Sequence, residues 1–211
     1  MCFQPPAYAK HLALDEEGRQ KGFATTTGKI ELASEILTEL GGPRLPEPGE
    51  PRRLCSRAFI AEREAQGWVH MPLITGARKQ PYNASMYLNN EEFRKRDPFP
   101  VVEMSEATAE SLGLAKGDCV VISTDKGEAR FKLDTIRMRD GLINADYGWW
   151  HPEWIDRAPF DGGMWESNVN CLTSCSLDES EPMIGTWSYN AIDCMIRKDD
   201  GDLSWQVGFS S

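Results

Sequence analysis

The sequence predicts a mainly β domain with small helices, its strands closed or nearly closed into a barrel. Three observations carry that reading. From Trp68 onward, short extended runs alternate with turn signals. Two of these runs flank Asp125-Lys126-Gly127, a three-residue connection whose glycine can take positive φ, which predicts a hairpin. Only one or two small helices accompany the strands, so closure is the way to hide the sheet edges.

Taken in order, residues 69–75 are apolar enough for a buried strand that ends at Gly76, and residues 100–104 form a second extended run. Ser105 is placed to cap a helix over 107–112, with Glu106 in its first turn and Gly113 to end it. Residues 118–124 and 128–136 alternate and make the hairpin. Residues 142–147 follow the Asp140-Gly141 turn as another strand, and 189–196 give the last one before a polar tail at 199–211. Upstream, residues 23–34 offer a turn at Thr27-Gly28 and then a short alternating strand. Residues 33–40 place Ile36, Leu37 and Leu40 on one helical face, stopped by Gly41-Gly42. The four prolines of residues 43–51 lack amide donors and predict a stiff connector, the best boundary in the chain. Residues 52–66 then read as a helix whose apolar stripe is Leu54, Ala58, Ala61 and Ala65.

Composition removes several function classes. A formal charge of -10 repels phosphate backbones and anionic membrane surfaces, which argues against nucleic-acid binding. No apolar run reaches the roughly 18 to 20 residues of a membrane span, and residues 1–10 do not read as a signal peptide. The cysteines form no CxxC pair; a small metal protein built on Cys171, Cys175, Cys194 and His151 is conceivable, but thiols in a reducing compartment are the plainer reading. No GxSxG, HExxH or P-loop is present, and no self-sufficient catalytic constellation can be assembled.

What stands out instead is a set of loops rich in backbone amides and small polar side chains: Thr75-Gly76-Ala77-Arg78, residues 83–85 with Ser85, and Asn168-Val169-Asn170 with Thr173. Glycine lets backbone approach a ligand, arginine grips phosphate with two parallel hydrogen bonds, and asparagine satisfies donor and acceptor edges of a heterocycle together. These chemistries suit a nucleotide, although Gly76 could equally serve a turn and Asn170 a loop cap. Trp149 and Trp150, read as lying on a strand, would point to opposite faces, one into the core and one toward a cleft or interface.

In order along the chain, GFATTTGKIELAS, PLITGARKQPY, PFPVVEMSEATAESLGLAKGDCVVISTDKGEA, GLINADYGWWHPE and WESNVNCLTS resemble the C-terminal, molybdopterin-dinucleotide-binding region of the dimethyl-sulfoxide-reductase superfamily of molybdopterin oxidoreductases. The similarity covers about Gly22 to Lys198, and TGAR, GWWxPE and ESNxN look most like the branch holding acetylene hydratase, pyrogallol transhydroxylase and catechol dehydroxylases. The resemblance implies a six-stranded double-psi β-barrel over residues 52–198, preceded at 1–51 by the remnant of another domain and the proline-rich connector.

It further implies that the chain binds and orients bis(molybdopterin guanine dinucleotide) carrying molybdenum or tungsten. Thr75, Gly76, Ala77 and Arg78 would touch the pterin or its diphosphate, with Ser85 beside them. Asn168, Asn170 and Thr173 would hold a pterin or guanine edge, and Trp149 and Trp150 would sit nearby. Many relatives carry histidine before the serine of the second motif, where this chain has Ala84, and residues 52–66 match poorly. The metal ligand and a [4Fe-4S] cluster would lie in other domains of the parent oxidoreductase or in a separate chain, with an iron-sulfur electron-transfer subunit as a further partner, so this chain alone is expected to be inactive. The expected compartment is cytoplasmic, with export of the parent by an upstream twin-arginine signal left open. The alternative from another class is a cofactor-free barrel serving as a protein-interaction or structural module.

Overall fold

The computed structural model describes residues 9–45, 54–77, 80–181, 185–187 and 189–200. Arg78, the end of the connector and most of the tail expected at 199–211 lie outside these residues. The chain divides into two compact units, Met1–Gly49 and Glu50–Ser211.

The second unit is built on strands β1 (Val69–Ala77), β2 (Val101–Met104), β3 (Cys119–Thr124), β4 (Gly127–Thr135), β5 (Ile143–Asp146) and β6 (Asn190–Lys198). They close in the order β1-β5-β2-β4-β3-β6, the six-stranded double-psi barrel that the sequence predicts. β1 runs parallel to β5 and β2 parallel to β4, while the other four pairings are antiparallel. The hairpin of β3 and β4 pairs Thr124 with Gly127 and Cys119 with Lys132.

Side chains from every strand fill the barrel, among them Leu73, Val102, Ile122, Phe131, Ile143 and Ile192. β4 alternates, with Ala129, Phe131 and Leu133 buried, as a strand with one solvated face should. β3 is buried along its whole length. Its outer face is covered: Val121 packs with Trp68 and Met195 under Phe59 and Ile60 of helix α2, which is numbered after α1 (Glu35–Glu39) of the first unit.

Helix α2 spans Arg57–Ala65 and is capped by Ser56, whose Oγ accepts from the Phe59 amide at 3.2 Å. The expected alanine stripe is therefore corrected. Larger Phe59 and Ile60 make the apolar contact, and Leu54 lies before the helix in the barrel core. Two carboxylates tie this entry segment to the barrel. Asp193 accepts from the Leu54 and Cys55 amides at 2.7 and 3.2 Å, and Asp125 from the Ser56 amide at 2.7 Å.

Three further helices complete the unit: α3 (Glu91–Arg96), α4 (Glu106–Ser111) and α5 (Met164–Ser167). α4 lies where Ser105 predicts it, with the Ser105 Oγ accepting from the Thr108 amide at 3.2 Å.

In the first unit the predicted strand within residues 23–34 does not form. A turn does form close to the expected Thr27-Gly28, with the Gly28 amide donating to the Thr25 carbonyl and the Phe23 amide to the Gly28 carbonyl. A Cβ on Gly22 would meet the Gly28 carbonyl oxygen at 2.3 Å, so backbone crosses backbone where a paired strand was expected. Helix α1 follows, capped by Ser34, with Ile36 and Leu37 of the helix and Leu40 just after it exposed.

Phe131 is fully buried in the barrel. Phe131→Ala is expected to lower stability by about 3–5 kcal/mol, by loss of transfer energy and the cavity left behind. Urea unfolding of the two proteins, followed by a barrel-specific signal, measures it.

Candidate functional site

Strand direction decides where the predicted loops meet. β1, β5 and β3 run toward one end of the barrel, and β2, β4 and β6 start from it. That end collects the C-terminal ends of β1 and β5, the β3–β4 turn and the start of β6. Thr75-Gly76-Ala77 lies there as the last part of β1. Residues 147–150 follow β5. Residues 168–173 pack on the β3–β4 turn: Thr124 Oγ1 donates to the Leu172 carbonyl at 2.9 Å, and a Cβ on Gly127 would meet the Cys171 carbonyl oxygen at 2.9 Å.

Thr75 is buried, and both its amide and its hydroxyl donate to the Tyr189 carbonyl. Its hydroxyl proton is thereby spent on holding the loop. The register with β5 slips between Thr75 and Ala77, so Gly76 sits in a bulge with φ of +148. Among the described residues a Cβ there would meet nothing nearer than Asn190 Oδ1 at 3.9 Å, which leaves the backbone open. Ala77 ends the strand.

Asn83 and Ala84 both take left-handed backbone, with φ of 45 and 67, and reverse the chain ahead of Ser85. Ser85 rests against Gly148: a Cβ on Gly148 would lie 3.5 Å from the Ser85 amide nitrogen, and its φ of +76 favours glycine. The Ser85 loop and the fourth motif therefore touch.

The tryptophans are not on a strand, as the sequence had suggested, because β5 ends at Asp146 and Gly148 turns the chain. Trp149 is buried against Tyr82 and Leu88, and Trp150 packs half-exposed on the same cluster. The Trp149 indole nitrogen is buried without a hydrogen-bond partner among the described residues.

Residues missed in the sequence hold this cluster. Asn90 caps α3 by accepting from the Glu92 and Phe93 amides at 3.0 and 3.2 Å, and the helix runs from acidic to basic residues as its dipole favours. Those signals were present in NNEEFRKRD. The Tyr82 hydroxyl lies 2.8 and 2.5 Å from the Phe93 and Asp97 carbonyl oxygens and fastens the helix to the loop that carries Ser85. Burial pushes the Tyr82 phenol up to about 12.

Arg94, only 5% exposed at its side chain, donates from Nη2 to Glu153 Oε1 at 2.7 Å and from Nη1 to the Pro98 carbonyl at 3.0 Å. Its guanidinium carbon lies 5.0 Å from the centre of the Trp149 ring. Burial pulls the Arg94 pKa down, and the Glu153 charge works against that pull. Burial would raise the Glu153 carboxyl, but hydrogen bonds from His151 and its own backbone, with the Arg94 charge, hold it below the ordinary value. The two shifts differ in sense, since the carboxylate is favoured in its charged form and the guanidinium is disfavoured, so the desolvation cost of the pair falls on Arg94.

In the last motif, Asn168 Oδ1 accepts from the Asn170 amide at 3.0 Å, and Thr173 Oγ1 donates to the Asn170 carbonyl at 3.1 Å. The Asn170 side chain is exposed and has no hydrogen-bond partner among the described residues. The alternative metal set does not assemble. Cys194 is in the barrel core, Cys175 is exposed, and His151 stacks on Trp154 with ring centres 4.2 Å apart. Among the described residues no three His, Cys, Asp or Glu side chains converge on a metal position.

Because the Glu153 carboxyl is held below its ordinary 4.5, the pair contributes stability that is present above that pH and lost as pH falls through the folded-state value. Glu153→Gln is expected to flatten this part of the acid limb. Urea midpoints of both proteins across the acid range check it, and parallel curves would count against the sign.

Residues 71–192 match the family described as the molydopterin dinucleotide binding domain. Acetylene hydratase of Syntrophotalea acetylenica is 31% identical over 133 residues, covering 63% of this chain and 18% of that protein. Dopamine dehydroxylase of Eggerthella lenta is 32% identical over 126 residues, 59% of this chain and 12% of that protein. The solved structure of acetylene hydratase from Pelobacter acetylenicus superposes with a TM-score of 0.65 at 27% identity, over 85% of this chain and 24% of that one. The chain spans less than a fifth of the curated relatives it matches. It belongs to the molydopterin dinucleotide binding domain family, within the dimethyl-sulfoxide-reductase superfamily.

Proposed function

We propose that this chain binds and orients bis(molybdopterin guanine dinucleotide) as the C-terminal part of a molybdenum or tungsten oxidoreductase. The observation that carries the reading is the meeting of the predicted loops at one end of the barrel. The donor set there fits the group. Gly76 exposes backbone in a bulge where, among the described residues, the nearest atom to a Cβ would be Asn190 Oδ1 at 3.9 Å, and Asn170 presents an amide with both donor and acceptor edges. Trp149 and Trp150 give the neighbouring loop an aromatic body.

When bound, the cofactor supplies the metal-centred chemistry, and this chain's share is binding and orientation. Thr75 fixes the first loop through Tyr189, and Asn168 fixes the last by capping Asn170. In this reading the metal ligand and the [4Fe-4S] cluster belong to the rest of the parent enzyme, and the chain is inactive without them.

One observation favours the alternative of a protein-interaction module. The segment after β5 leaves Tyr147, Phe160 and Trp165 largely exposed, a surface suited to contact with protein. Gly76→Val and Asn170→Ala in the complete enzyme separate the readings. Gly76→Val strains a φ of +148, and Asn170→Ala removes contacts whose loss weakens retention about tenfold. Guanine nucleotide released per mole of purified protein is the readout. Loss of nucleotide supports the cofactor reading; unchanged content in both variants supports the interaction module.

A further inference from the structure

We infer that the buried Arg94–Glu153 pair is a latch that sets the position of the Trp149-Trp150 loop at the cofactor end, which makes both residues positioning residues for cofactor retention. The inference rests on the cofactor-binding reading above. The loop from Gly148 to Glu153 is fixed at both ends. At its start Gly148 lies against Ser85, where a Cβ would be 3.5 Å from the Ser85 amide nitrogen and the φ of +76 favours glycine. At its end Glu153 is held by Arg94 at 2.7 Å. Between these points Trp149 is pinned between Tyr82, with ring centres 5.5 Å apart, and the Arg94 guanidinium.

Helix α3 is the strut that joins the two sides. Through Tyr82 it is fastened to the Ser85 loop, and through Arg94 to the tryptophan loop. The arrangement costs desolvation. Replacing such a pair by apolar residues is often neutral or stabilising, so a pair kept at this position is weak evidence for stability and better evidence for geometry. Arg94 also suits the task chemically. Its planar fork serves Glu153 and the Pro98 carbonyl together while its flat face meets Trp149.

The test compares Arg94→Met and Glu153→Gln in the complete enzyme with Ile196→Ala, a control in the barrel core. Ile196 lies in the barrel core, paired with Val69 and Ile122, outside the cluster that holds Trp149. Thermal midpoint and the rate of guanine-nucleotide release on dilution are measured for each. At matched loss of thermal midpoint, the latch variants are expected to release nucleotide about tenfold faster than the control, the effect of one misplaced charge-assisted contact. Should Arg94→Met fail to accumulate, the near-isosteric Glu153→Gln carries the comparison alone.

Release no faster than from Ile196→Ala overturns the latch and leaves the pair an ordinary contributor to stability. Asn170→Ala, run alongside, keeps the two readings apart. Rapid release from Asn170→Ala with slow release from the latch variants defeats only the latch. Bound nucleotide absent from the wild-type enzyme defeats the cofactor reading itself.

Discussion

Barrel closure by mixed strand directions is the constraint on which the rest of the molecule depends. A sheet of six strands with free edges would expose unpaired amides and carbonyls, and joining β6 to β1 removes both edges. Because β1 and β5 are parallel neighbours, their C-terminal ends emerge side by side. Had they been antiparallel, Thr75-Gly76 and Gly148-Trp149 would leave opposite ends, and the Ser85–Gly148 contact could not form. The position of the candidate site is thus a consequence of topology before any side chain is considered.

Around this frame the chain spends polar groups on itself to leave others available. Thr75 and Asn168 make internal hydrogen bonds that shape their loops, while Gly76 and Asn170 remain open. The separation has a physical basis. A loop that must present donors to a ligand cannot also rely on them for its own shape, so neighbouring residues take the structural duty.

Much of the barrel was legible because its signals are local. Alternation in β4, the Asp125-Lys126-Gly127 connection and the Ser105 cap act within a few residues. The strand expected between residues 23 and 34 failed because alternation alone does not supply a pairing partner, and in its place Gly22 and Gly28 cross. The α2 stripe was misassigned since a narrow alanine row competes poorly with Phe59 and Ile60 for burial. In the site, the loops proposed to receive a ligand could be picked from residue type and resemblance. Arg94 and Glu153 could not, being 59 residues apart and recognisable only as a charged helix face and a loop carboxylate. Helix α3, by contrast, was readable and was missed.

The bond from Thr75 to the Tyr189 carbonyl has a kinetic consequence. Its partners are 114 residues apart, and it can form only when β6 docks on β1. Contacts of such separation pay loop-closure entropy before they return anything, so they arrive late in folding. The first loop therefore gains its final shape only as the barrel shuts. A chain still being synthesised holds no partial version of this end of the molecule, which takes its shape only with the finished fold.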